Sequence, residues 1–204
     1  MAKGETTTVT GQHPLPVGPC AVVIFGASGD LTKRKLVPAL YNLARQRLLP
    51  DSFAIVGVAT SELGTDAFRE RLDREARDHV EQGLDAETWS WLLSRVTYLP
   101  GNFRDPATYQ RLVTVLNQVD AERGIGGNFV FYLATPPAFF GEIAAVLRPE
   151  GSVLVVEPPL HVSRRDFEES LAAAGKAGLR VASRPRLGPN KVALLVRSVE
   201  SAGG

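Results

Sequence analysis

Residues Ala21 to Leu36 constrain the fold more than any other stretch of the chain. The apolar run Ala21-Val22-Val23-Ile24-Phe25 leads straight into Gly26-Ala27-Ser28-Gly29-Asp30-Leu31, and that into Thr32-Lys33-Arg34-Lys35-Leu36. A short apolar run stopped by glycine predicts a buried strand, and the basic stretch behind it predicts a helix start. Between them the two glycines make a tight turn in which backbone comes close to a phosphate. The helix N-terminus offers unpaired N–H groups and the positive end of its dipole to receive one. The spacing Gly-x-x-Gly is shorter than the Gly-x-Gly-x-x-Gly dinucleotide fingerprint. On the glycines alone an ordinary strand-to-helix turn stays open as the alternative.

Beyond this unit the pattern alternates. Strands are expected near 21–26, 53–58, 96–99, 129–134 and 152–157. Between them, 33–47, 65–82, 86–93, 106–123 and 139–147 carry helical spacing, for example Leu36, Leu40, Leu43 and Leu48 in the first. Trp89 and Trp91 read as core and rim packing rather than as stacking platforms. A helix over 163–177 and two strands joined at Gly188-Pro189-Asn190 follow, which predicts an antiparallel hairpin near 180–197. The fold class is therefore α/β: a single Rossmann-like, doubly wound, mostly parallel sheet closed by a C-terminal antiparallel hairpin. In such sheets a ligand sits beyond the carboxyl ends of the strands, where Gly26, Thr60, Asn102 and Thr135 gather.

Composition excludes several function classes. A net charge of +1 gives no electrostatic reason to expect nucleic acid or an anionic membrane. The single Cys20 excludes an internal disulfide and cysteine-based metal clusters, which suits a reducing cytoplasm. No apolar run reaches the about 18 residues that a membrane span needs. Residues 1–19 carry Thr, Gly and Pro without an apolar signal-peptide core and read as a disordered arm, 20–199 as one domain, and 200–204 as a loose end.

The string Gly26 to Leu31, followed by Lys33-Arg34-Lys35-Leu36 and Pro38-Ala39-Leu40, resembles the coenzyme-binding turn of the glucose-6-phosphate dehydrogenases. Phe53 to Ala59 looks like that family's second strand, Val96 to Phe103 its third, and Phe129 to Pro137 its fourth with the following loop. Four blocks in order cover roughly residues 20–147. The resemblance implies a nicotinamide dinucleotide, NADP with NAD as the alternative. It would be held by Gly26, Ser28, Gly29, Asp30 and Leu31 at the pyrophosphate, by Thr60 and Asn102 towards the adenosine, and by Tyr132, Thr135 and Pro136 towards the nicotinamide. It also implies that Lys35 lies near a sugar phosphate.

The sequence departs from that family in three places. The second strand ends at Thr60, where the family usually has an arginine for the 2′-phosphate of NADP; Arg34 or Arg69 could substitute, and Glu62 could instead bind a free ribose hydroxyl. The fifth strand ends Glu157-Pro158 where the family has Glu-Lys. The Arg-Ile-Asp-His-Tyr-type segment carrying the family's catalytic histidine is not found. His13 falls in the arm, His79 on a charged helix, and His161 after the fifth strand, where a solvated loop histidine is the simpler reading. From Val146 onward the chain resembles the closing strands of class I methyltransferases, a scaffold that transfers little function. Two functions stay open: a nicotinamide-dinucleotide site that is catalytically incomplete on its own or complemented by another chain, or a non-catalytic α/β scaffold or methyltransferase-like fusion without a working site.

Overall fold

The computed structural model describes residues 18–77, 83–133, 152–157, 163–186 and 189–197. The first 17 residues, the helix expected over 139–147 and the C-terminal end therefore lie outside the described residues, as do Thr135, Pro136, Pro158 and all three histidines.

Four strands, β1 (Cys20–Phe25), β2 (Phe53–Ala59), β3 (Val96–Pro100) and β4 (Phe129–Leu133), form a parallel sheet in the order β3-β2-β1-β4. β1 is central, with Val23 opposite Val56 on one side and Phe131 on the other. β2 is buried along its whole length, which is why it reads as an unbroken apolar run rather than an alternating one.

Alternate residues of each strand feed two cores. Cys20, Ile24, Phe53, Ile55 and Val96 face α1 (Val37–Arg45), α2 (Thr65–Arg77) and α3 (Ala86–Ser94). Ala21, Val23, Phe25, Val56 and Val58 face α4 (Pro106–Arg123), and the same cluster takes in α5 (Arg164–Lys176). Helices thus cover both faces of the sheet, as a doubly wound fold requires.

The expected class holds, a mostly parallel sheet with helices on both faces and a C-terminal antiparallel hairpin; the detail lies in how the last strands pair. β5 (Ser152–Glu157) pairs antiparallel with β7 (Lys191–Arg197), which pairs with β6 (Leu179–Ser183), so hydrogen bonding among the described residues gives a second sheet of order β5-β7-β6. β4 has the burial of an edge strand, with Val130 51% exposed. The two sheets are joined instead by apolar packing. Val153, Val155 and Leu195 share one core with Val23 and Phe25.

The helix boundaries follow local chemistry. α4 opens on Asp105, whose carboxylate accepts from the Ala107 N–H, with Pro106 at its first turn, and it closes on Gly124 at φ 65°. α5 opens on a reciprocal Ser163–Asp166 capping box. The first helix differs from expectation. Thr32–Leu36 is π-helical, with the Val37 N–H bonding the Thr32 carbonyl, before α1 continues to Arg45. Pro38 explains the widening, because its ring has no N–H to donate and crowds the carbonyl four residues back.

Both tryptophans pack as the sequence suggests. Trp89 is buried edge-on to Tyr41, and Trp91 lies flat against Phe53. The Trp89 indole N–H donates to Asp73 Oδ1 at 2.7 Å, and this bond, with help from Arg77, holds the Asp73 carboxyl below the usual aspartate range. A lowered carboxyl favours the folded state above its unfolded value, about 3.9. That contribution disappears as pH falls through the folded value. Denaturant midpoints measured on the acid side are expected to fall less steeply for Asp73→Asn than for the unaltered chain, since the amide keeps an acceptor for the indole but does not titrate.

Candidate functional site

The parallel register brings the ends of β1, β2 and β3 to one edge of the sheet, and the turn 26–31 lies there. Hydrogen bonding runs on past the strand. The Gly26 and Ala27 N–H groups both donate to the Val58 carbonyl, at 2.8 and 3.2 Å. Gly26 then takes φ 84°, a conformation that side-chain-bearing residues rarely adopt, and this turns the chain off the sheet. Gly57 lets the turn settle against β2, because a Cβ there would lie 2.9 Å from the Ala27 Cβ.

The turn is closed from within. The Gly29 N–H donates to the Gly26 carbonyl at 2.9 Å, and the buried Thr32 hydroxyl donates to the same oxygen at 3.2 Å. Of the four N–H groups expected at a phosphate, that of Gly29 is therefore engaged in shaping the turn. The first turn of the helix behind it presents N–H groups without intrahelical partners, together with the positive end of the dipole. Asp30 adds an exposed carboxylate, which pairs with Arg34 Nε at 3.0 Å and Lys33 Nζ at 3.5 Å. Leu31 is half exposed beside it, and Lys35 projects at the surface.

The end of β2 meets this turn. Ser61 Oγ donates to Ser28 Oγ at 3.1 Å, and the Ser61 carbonyl accepts from the Tyr98 hydroxyl at 2.8 Å. Burial pushes the Tyr98 phenol above its ordinary value. Thr60 and Glu62 flank Ser61 and are exposed. From α2, Arg71 Nη2 donates to the Ser28 carbonyl at 3.0 Å. Asn102, exposed after β3, folds its own loop, accepting the Arg104 N–H on Oδ1 at 3.0 Å.

Of the two arginines offered as substitutes at the β2 end, Arg69 does not serve. Its guanidinium donates to the Val96 carbonyl at 2.9 and 2.6 Å, at the start of β3 and so at the opposite edge of the sheet, and it pairs with Asp66. Arg71, Ser61 and Tyr98 are the residues that sequence reasoning passed over. Arg71 had a signal: it lies three residues after the buried Phe68 and next to the buried Leu72, at the border of the covered helix face.

A second group lies at the ends of β4 and β5. Tyr132 is half-buried, and burial together with the Glu157 charge raises its phenol. Burial likewise raises the Glu157 carboxyl, against the opposing pull of Lys191, its cross-strand partner. Among the described residues no three His, Cys, Asp or Glu side chains converge as metal ligands, and no helix is long and apolar enough to cross a membrane.

A buried parallel sheet, a glycine turn ending on a helix N-terminus and a polar cluster at the adjoining strand end are the parts of a dinucleotide site. The sequence model of the family described as "Glucose-6-phosphate dehydrogenase, NAD binding domain" matches residues 23–172. The chain belongs to that family. The match passes residue 147, so β5 and part of α5 fall inside it as well. Glucose-6-phosphate 1-dehydrogenase of Chlamydia muridarum (strain MoPn / Nigg) is 41% identical over 164 residues, covering 74% of this chain and 32% of its own length. Glucose-6-phosphate 1-dehydrogenase 2 of Mycobacterium bovis is 37% identical over 155 residues, covering 72% of this chain and 30% of the relative. A solved glucose-6-phosphate dehydrogenase in complex with its substrate glucose-6-phosphate aligns at TM-score 0.65 and 26% identity, over 82% of this chain and 36% of that one. The chain thus spans about a third of the length of the curated relatives it matches.

Proposed function

We propose that this glucose-6-phosphate dehydrogenase-type domain binds NADP across the end of its parallel sheet and serves as the coenzyme half of a sugar-phosphate oxidation. The observation that carries this reading is the turn from Gly26 to Leu31. It stands at the end of β1, whose neighbours β2 and β4 lie on opposite sides, and that change of direction is where α/β sheets open a ligand crevice. The residues present fit a pyrophosphate. The turn is built from backbone and small side chains, and a Cβ at Gly29 would already lie 3.0 Å from the Gly26 carbonyl oxygen. In this reading the N–H groups of Ser28, Asp30 and Leu31 face the pyrophosphate, Thr60 and Asn102 border the adenosine, and Tyr132, Thr135 and Pro136 border the nicotinamide. Bound NADP would supply the hydride acceptor. Lys35 is the residue offered to the phosphate of the sugar.

Calorimetric titration of the purified chain with NADP and NAD tests the proposal. Saturable binding of NADP is expected, and heats no larger than dilution for both nucleotides would overturn it. Replacing Thr60 by Arg, which restores a charge at the β2 end, is expected to strengthen NADP over NAD by roughly 1–3 kcal/mol, the range of a charge-assisted hydrogen bond. Equal changes for the two nucleotides would show that position 60 does not face the 2′ group.

A further inference from the structure

The end of β2 lacks a basic residue at Thr60, yet a cation reaches that place from another element. Arg71 stands six residues into α2 and crosses to the glycine turn, where Nη2 donates to the Ser28 carbonyl at 3.0 Å. Glu75, one turn further along, also anchors the guanidinium by accepting from Nε at 2.9 Å, in an ion pair. A guanidinium has five N–H donors in one plane, and these two bonds use two of them. The head group is therefore oriented by both bonds rather than swinging in solvent, and its side chain is 31% exposed.

The groups around it are polar and linked to one another by hydrogen bonds. Ser61 Oγ bonds Ser28 Oγ, and the Tyr98 hydroxyl bonds the Ser61 carbonyl. The Tyr98 phenol feels the Arg71 charge and the opposing Glu62 charge together, so both side chains lie within electrostatic reach of the same hydroxyl. Serine hydroxyls beside a planar cation, at the end of the second strand and next to a glycine turn, match the chemistry that a phosphomonoester on a ribose asks for. Lys33, Arg34, Arg69 and Arg71 each have a carboxylate partner, Arg71 being paired with Glu75, but Arg71 is the one that also bonds the Ser28 carbonyl. Lys33 and Arg34 pair with Asp30 at the helix start, and Arg69 holds the far edge of β3.

We propose that Arg71, with Ser28 and Ser61, forms the pocket for the 2′-phosphate of NADP and sets the preference for NADP over NAD. This rests on the dinucleotide reading above and adds the residue that selects between the two nucleotides. Glu62, exposed on the same rim, is the group that opposes it, since a carboxylate repels a 2′-phosphate and accepts from a free 2′-hydroxyl.

The test is a pair of calorimetric titrations, NADP and NAD, on the unaltered chain, Arg71→Gln and Arg71→Lys, with thermal melts to establish that each is folded. For Arg71→Gln the NADP dissociation constant is expected to rise about tenfold or more while that for NAD changes by less than about threefold. Arg71→Lys keeps the charge and loses the planar fork, so it should retain a preference for NADP intermediate between the other two. Parallel weakening of NADP and NAD in Arg71→Gln would show that Arg71 only braces the turn through Ser28, and would overturn the assignment while leaving the dinucleotide site standing. Unchanged NADP affinity in Arg71→Gln overturns it as well. Failure of the unaltered chain to bind either nucleotide would remove the dinucleotide site itself, and with it any selectivity.

Discussion

Gly29→Val is expected to lower the affinity of the chain for NADP by about a hundredfold or more, with NAD falling in parallel. A Cβ at this position lies 3.0 Å from the Gly26 carbonyl oxygen, a backbone atom that cannot swing aside like the tip of a side chain. Two branches beyond that Cβ would stand over the turn, where the proposed reading places the phosphate oxygens. The Gly29 N–H also closes the turn onto Gly26, so displacing it loosens the aim of the N–H groups that follow. Damage should stay local. Residue 29 is exposed and outside both cores, so the melting temperature is expected to change little. Titration of the variant with each nucleotide reads the effect directly, and unchanged NADP affinity would show that the phosphates do not sit on this turn.

The second expectation concerns turnover. A polypeptide consisting of these 204 residues is expected to oxidise glucose-6-phosphate at a rate near background, even with NADP bound. Hydride transfer from a sugar carbon needs a base for the hydroxyl proton and a site that holds the sugar against the nicotinamide. The segment that carries the family's catalytic histidine is not found in the sequence, and of the cations near the turn only Lys35 is offered to a sugar phosphate. General-base assistance contributes about 10²–10⁴-fold, and fixed positioning of two reactants about 7–11 kcal/mol. Losing both removes most of an enzyme's advantage. Steady-state NADPH formation by the purified chain checks this. Turnover in the ordinary enzyme range, about 1–10³ s⁻¹, would contradict it, and His161 would then be the first residue to replace.

What the sequence made legible were features written in consecutive residues. The run from Ala21 to Phe25 ending at Gly26 specified strand and turn together. Phe53 to Ala59, apolar on both faces, could only be an inner strand, and it is buried throughout. The helix expected over 106–123 matches α4, whose ends the structure fixes locally at Asp105 and Gly124. The parts that escaped depend on partners distant in the chain. Nothing within β5 says which strand lies along its edge, since any neighbour can satisfy the backbone groups there; β7 does so, antiparallel. The π-helical turn arises from Pro38 acting on residues before it, where charge and spacing predict a plain helix. Arg69 and Arg71 look alike on α2, yet one holds the start of β3 and the other crosses 43 residues of sequence to Ser28. The candidate site was thus visible as a turn and invisible as a pocket.

The central place of β1 has a consequence for how the protein comes into being. Its first neighbour, β2, follows soon in the chain, but its second is far away. Asn128, at the head of β4, bonds back to the Pro19 carbonyl across 109 residues. Ribosomes add about 5–20 residues per second, so one side of β1 waits roughly 5–20 s for its mate after β1 itself is made. Strand docking and loop closure take far less time than that. Completion of the four-stranded sheet on a ribosome is therefore paced by translation, and until β4 arrives the nascent chain carries an apolar strand with an open flank.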